Sequence, residues 1–129
     1  MLDHIGIPVS DYARAKSFYE RALAPLGITL IMEATPEQTS DGSSAAGFGS
    51  QNKPYFWIGS TEQIGRTHVA FVAPTRAIVD AFHQAGLAAG GRDNGEPGLR
   101  PHYHPDYYGA FVLDPDGHNV EAVCHAPAA

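Results

Sequence analysis

The chain has 129 residues, 43% hydrophobic and 17% charged, which is enough apolar material for a domain with a true core and too much for a disordered segment. Fourteen acids against eight scattered bases give a net charge of −6, so the clustered Lys and Arg that a nucleic-acid partner requires are missing. No apolar run is long enough to span a membrane, the opening MLDHIGIPVSD does not read as a signal peptide, and the single Cys124 excludes an internal disulfide; a cytoplasmic setting is expected.

Residues 3–9 alternate, with Ile5, Ile7 and Val9 on one face and His4, Gly6 and Pro8 on the other, the period of a strand. Ser10-Asp11 then offers a helix cap, and Tyr12, Ala15, Phe18/Tyr19, Ala22/Leu23 and Leu26 follow at helical spacing until Gly27. Short strands are expected at about 28–33, 45–49 and 54–59, with a polar Gly/Ser-rich loop over 35–44. Residues 67–73 alternate again, Val69 and Phe71 opposite His68 and Ala70. Thr75 opens a second helix carrying Ile78, Val79, Phe82, Gly86 and Leu87, which Gly90-Gly91 ends. A long loop is expected over about 92–106, then strands at 108–113 and 118–124 joined by the turn Asp114-Pro115-Asp116-Gly117.

The chain aligns with itself when shifted by 64 positions. Asp3–Val9 falls on Thr67–Ala73, Phe18 on Phe82, Leu23 on Leu87, Gly27 on Gly91, and Phe56-Trp57-Ile58 on Val120-Glu121-Ala122. The expected architecture is therefore α+β: one domain over 1–129 built as an internal repeat of about 1–64 and 65–129. Each half is a βαβββ module, with the helices on the convex faces of two curved mixed sheets and a cleft between the concave ones.

Strand alternation selects the side chains that enter such a cleft. If Ile5/Ile7 and Val69/Phe71 pack on the helices, His4 and His68 point the other way. In the last strand Val120, Ala122 and Cys124 share one face, and Asn119, Glu121 and Val123 the other. A single histidine near a strand is more often a hydrogen-bonded core residue than a ligand. Two histidines at repeat-related positions with a mid-strand carboxylate, costly to bury alone, form a common donor set for a divalent metal. Glu121 falls on Trp57 in the repeat, so the set His4, His68, Glu121 lacks a fourth protein ligand and leaves a position open for water or substrate.

The segment from Asp93 to Tyr108 holds two histidines, three tyrosines, an arginine and three prolines. Prolines stiffen it, and its rings are candidates to wall a substrate pocket. His102 and His104 are the candidate acid or base groups there, and Arg100 a group to orient an anionic substrate, beside Tyr107 and Tyr108. A surface loop packed by its own tyrosines is the plainer reading. Phe48, Tyr55 and Trp57 on the middle strands are candidate pocket walls. His83 is expected exposed or half-buried on its helix, His118 simply opens a strand, His125 lies near the Ala-Pro-Ala-Ala tail, and Cys124 is expected to be a buried, inert thiol.

The segments His4-Ile5-Gly6-Ile7-Pro8-Val9-Ser10-Asp11 with Ala15-Lys16-Ser17-Phe18-Tyr19, then His68-Val69-Ala70-Phe71, then Asp114-Pro115-Asp116-Gly117-His118-Asn119-Val120-Glu121, resemble the vicinal oxygen chelate superfamily, also called the glyoxalase/bleomycin resistance/dioxygenase group. The similarity covers nearly the whole chain. It implies paired βαβββ modules, a small-molecule substrate, often a homodimer, and a divalent ion (Zn, Ni, Mn or Fe) that binds two oxygens of the substrate. In glyoxalase I-like members the ligands are His and Glu from the first and last strands of each module. Carried over by position, these are His4, His68 and Glu121, with Glu121 also a possible base. Trp57 stands where the other Glu would be, which moves the expectation from glyoxalase I proper to a glyoxalase-like, metal-dependent enzyme of lyase or isomerase type with enediolate chemistry. A small-molecule binding protein of the bleomycin-resistance type and an Fe(II) extradiol-type dioxygenase are the alternatives. Whether His4 meets His68 and Glu121 within one chain or across a dimer is open at this point.

Overall fold

A computed structural model describes residues 2–39 and 41–128; Met1, Ser40 and Ala129 lie outside the described residues, so the 35–44 loop and the Ala-Pro-Ala-Ala tail are described without Ser40 and Ala129. The first module runs β1 (Ile5–Val9), α1 (Tyr12–Ala22), β2 (Thr29–Ala34), β3 (Ala45–Ser50) and β4 (Lys53–Ser60). The second runs β5 (His68–Val72), α2 (Arg76–Ala88), β6 (Arg92–Leu99), β7 (Tyr108–Leu113) and β8 (Asn119–Cys124). The sheets have the orders β1-β4-β3-β2 and β5-β8-β7-β6, each with one parallel pair, β1 with β4 and β5 with β8. This is the α+β, two-module architecture expected. Even the registers correspond: Gly6 lies opposite Trp57 in one sheet, and Ala70 opposite Glu121 in the other.

Local chemistry sets the helix ends. The Asp11 carboxylate accepts from the Arg14 amide at 3.1 Å, and the Thr75 hydroxyl from that of Ile78 at 3.2 Å, each satisfying a first-turn donor. The apolar spacing suggests that α1 reaches Leu26. It stops at Ala22 instead, and residues Ala24–Leu26 form a single 3-10 turn, because Pro25 has no amide to continue the α ladder. Gly27, at φ 75°, then reverses the chain.

The loop expected over 92–106 is shorter than that. Arg92–Leu99 pairs with β7 as an antiparallel edge strand, interrupted by register shifts between Asp93 and Gly95 and between Gly95 and Gly98. An edge strand tolerates Pro97, and the bulges accommodate the glycines, so a segment with no apolar alternation still joins a sheet.

Each sheet turns one face to its helix. Phe48 and Phe56 pack on Tyr19, whose ring lies 5.1 Å from that of Phe56; Val112 faces Gly86 of α2. Phe48 is therefore a fully buried core residue and not the pocket wall expected of it, because alternation along β3 gives the helix-free face to Gly47. The modules are joined through the turn before β8. His118, expected to be an ordinary strand opener, is fully buried. Its Nδ1 accepts from the Thr67 amide at 3.1 Å, so Nε2 carries the proton and donates to the Pro8 carbonyl at 2.6 Å. Asp116 takes the Ser10 amide at 3.0 Å, and buried Asp114 takes the Tyr19 hydroxyl at 2.6 Å. His83 is also more buried than expected, at 7% exposure, because it bonds Asp93 on β6 at 2.9 Å.

Candidate functional site

On the helix-free face of the second sheet, β5 brings His68 and β8 brings Glu121 to adjacent strands. The His68 Nε2 lies 3.1 Å from the Glu121 Oε1. The imidazole is half exposed, whereas the carboxylate side chain is 2% exposed, so the pair forms the floor of an opening rather than a surface ion pair. The cavity above them, about 500 Å³, is lined by His68, Tyr103, Tyr107, Phe111, Asn119 and Glu121.

Hydrogen bonding constrains both groups. The Nδ1 of His68 lies 3.1 Å from the Asn119 carbonyl oxygen, which can only accept, so Nδ1 carries a proton. Nε2 then faces a carboxylate oxygen, and in the neutral ring it would present a lone pair to it. Two electron-rich atoms 3.1 Å apart need a positive charge with them, either a proton on Nε2 or a cation. The other Glu121 oxygen accepts the phenol of Tyr107. Burial, and then the carboxylate, push the Tyr107 phenol up to about 12.

His4 does not join this pair. It stands at the start of β1, 59% exposed, with Nδ1 2.7 Å from Asp3; Asp3 in turn takes Lys53 at 2.8 Å. Lys53 first, and then His4, hold the Asp3 carboxyl below the usual range, so Asp3 is an anion and the Nδ1 of His4 is the donor. The outward-facing atom of His4 is thus Nε2, as it is for His68. Around His4 lies an apolar groove of about 420 Å³ that includes Leu2, Ile5, Tyr55, Val69 and Val72. Among the described residues no group of three or more His, Cys, Asp and Glu is placed to hold a metal. One chain therefore offers two donors of the expected set at one place and the third at another.

The remaining candidates divide sharply. Tyr107 reaches the site, but Tyr108 points to the opposite face, where its hydroxyl donates to Asp80 at 2.7 Å under the Arg76 guanidinium. Arg100 lies over the Phe111 ring, its guanidinium spent on the carbonyls of Gly98 and Glu96 at 2.8 Å each, so it is a brace for β6 rather than a free anion receptor. His102 and His104 are exposed; His102 packs on Tyr103, and the Nδ1 of His104 accepts from the Asp106 amide at 3.1 Å. Trp57 lies on the helix-free face of the first sheet, and Tyr55 in the groove with His4. Phe111, Tyr103 and Asn119 line the cavity without having been singled out from the sequence, although alternation on β7 and β8 puts Phe111 and Asn119 on the face of Glu121.

A family model described as the glyoxalase/bleomycin resistance protein/dioxygenase superfamily matches residues 1–122. No curated protein matches the chain. Among solved structures, a glyoxalase/bleomycin resistance protein from Albidiferax ferrireducens is 28% identical, with a TM-score of 0.76 over 96% of this chain and 98% of that one. A glyoxalase I variant from Zea mays is 23% identical, TM-score 0.70, over 95% of this chain but 46% of that one, and shares the fold. So does a family enzyme from Burkholderia phytofirmans, 18% identical, TM-score 0.68, over 96% and 98%. With two βαβββ modules and a family match over nearly its whole length, the chain belongs to the glyoxalase/bleomycin resistance protein/dioxygenase superfamily.

Proposed function

We propose that this protein is a divalent-metal-dependent, glyoxalase-like enzyme acting on a small molecule, with its site completed between two copies of the chain. The observation that carries this is the state of His68: its Nδ1 is held by a backbone carbonyl, and its Nε2 faces a buried carboxylate. Ligating histidines characteristically give their other nitrogen to such an acceptor, which fixes the tautomer. The donor types, imidazole and carboxylate, suit Zn, Ni, Mn or Fe.

The third ligand in this reading is His4 of a second copy. Its Nδ1 is taken by Asp3, its Nε2 has no hydrogen-bond partner among the described residues, and the apolar groove around it, with Leu2 82% and Val72 75% exposed, suits burial in a homodimer. When bound, the cation supplies a Lewis acid that polarises a substrate oxygen. The chain's own groups do the rest: Glu121 holds a negative charge at the floor of the cavity, and Tyr103, Tyr107 and Phe111 line it with aromatic rings against which a small molecule packs.

A second reading, a small-molecule binding protein without turnover, draws support from the same aromatic lining and from the Tyr107 phenol already seated on Glu121. Elemental analysis and light scattering on protein purified without added metal separate the two. A dimer with a stoichiometric divalent ion, lost in His68→Ala and Glu121→Gln, is expected. A wild type that retains no metal and takes up none of Zn, Ni, Mn or Co when offered removes the enzyme reading in favour of the binding protein. Iron as the resident metal would turn the chemistry toward oxidative ring cleavage.

A further inference from the structure

We infer that Tyr107 is a positioning residue that caps one oxygen of Glu121 and leaves the other as the single ligating atom beside His68; this rests on the metal-site reading above. Glu121 has two oxygens and two neighbours: Oε1 faces the His68 Nε2 at 3.1 Å, and Oε2 accepts the Tyr107 phenol. Buried as it is, the carboxylate has little freedom to exchange them.

The chain around Tyr107 is built to hold that phenol in place. The turn from Arg100 to Tyr107 is closed at its base, with the Arg100 amide on the Tyr107 carbonyl at 2.7 Å and the Tyr107 amide on the His104 carbonyl at 3.0 Å. Inside it the Tyr103 amide donates to the Arg100 carbonyl at 2.9 Å. The Tyr107 ring is met edge-on by Tyr103 at 5.1 Å and by His125 at 5.2 Å. Gly109 leaves the space the contact occupies: a Cβ there would lie 3.1 Å from the Tyr107 Cε1 and 3.3 Å from the Glu121 Oε2. The turn rich in His and Tyr therefore acts through one member. Its histidines shape the turn, and Tyr107 delivers a hydrogen-bond donor to the ligand behind the metal position, where such contacts orient a carboxylate and set its affinity.

The test is cobalt(II) titration of the metal-free full-length protein, following affinity and the visible ligand-field bands, with melting temperature measured alongside. Tyr107→Phe keeps the ring and removes the donor. It is expected to weaken cobalt binding by about tenfold or more and to change the band pattern, because Oε2 is freed to ligate. Tyr108→Phe loses an equivalent tyrosine–carboxylate bond on the opposite face, to Asp80, and is expected to match the wild type in both readouts. Wild-type affinity and bands in Tyr107→Phe overturn the inference and leave the metal site standing; so does an equal loss in Tyr108→Phe, which would mark general loosening. A wild type that binds no cobalt overturns the metal-site reading and this inference with it.

Discussion

Trp57 and Glu121 hold the same place in the two sheets: Trp57 lies between Gly6 on β1 and Gly47 on β3, and Glu121 between Ala70 on β5 and Phe111 on β7. The bulk has changed strands. In the first module the indole lies flat across Gly47, where a Cβ would come within 2.8–2.9 Å of its ring. In the second the aromatic group is Phe111, and the smaller Glu121 beside it leaves a cavity with a carboxylate floor. The two faces are built on one backbone plan, one as a flat aromatic platform and the other as a donor pair.

That exchange yields a direct prediction. By the repeat and the matching strand registers, Trp57→Glu places a carboxylate at the position, relative to His4, that Glu121 holds relative to His68. If His4 completes a site on a second copy, the variant adds a fourth protein ligand, and more ligand charge tightens cation binding. Cobalt affinity is expected to rise by about tenfold, read by titration calorimetry on metal-free protein. Unchanged affinity would mean that position 57 does not face the bound ion.

Mixing experiments test where the third ligand comes from. His4→Ala and Glu121→Gln proteins are each expected to bind metal poorly. Unfolded together and refolded, they form mixed dimers in which one site carries both substitutions and the other carries neither. Metal binding therefore returns in the mixture, up to one intact site per mixed dimer. No recovery above the two variants alone would place all three ligands within one chain, or His4 outside the site.

The joint between the modules depends on His118, and the prediction there concerns stability. Replacing it with Leu leaves the Thr67 amide and the Pro8 carbonyl without their buried partners. Each of these part-buried groups left without its partner costs about 1–3 kcal/mol, so a loss of about 3 kcal/mol is expected in urea unfolding. A loss below about 1 kcal/mol would mean that water reaches both groups.

How far the sequence carried this picture depended on periodicity. β7 and β8 alternate cleanly and were readable to within a residue, and with them the face carrying Glu121; the alternation of β5 did the same for His68, whereas His4 lies one residue ahead of β1 and apart from that pair. β6 was not readable, since Asp93-Asn94-Gly95-Glu96 has no apolar face to bury and sits at an edge through two bulges. Phe48 was misassigned because an apolar residue in a strand fits either face until the pairing of Gly47 with Trp57 is known. Within the turn, Tyr107 and Tyr108 are chemically alike, and only the start of β7 decides that one meets Glu121 and the other Asp80. The partners of His118 lie 110 and 51 residues away, beyond any local pattern.

Tyr19 supplies a pH prediction with a definite sign. Its phenol is fully buried, and burial first, then the Asp114 charge 2.6 Å away, hold its pKa well above the ordinary 10.0. The folded protein therefore keeps this proton at pH values where the unfolded chain loses it. Below pH 10 both states bind the proton, and Tyr19 adds no slope. Above it the unfolded state binds fewer, and stability falls by about 1.4 kcal/mol per pH unit for this one group. Urea unfolding between pH 9 and pH 11.5 is expected to steepen accordingly. In Tyr19→Phe the protein starts less stable, having lost the bond to Asp114, but its stability falls less steeply with pH by about one proton's worth. Parallel slopes for the two proteins would mean that Tyr19 ionises in the folded state as readily as in the unfolded one.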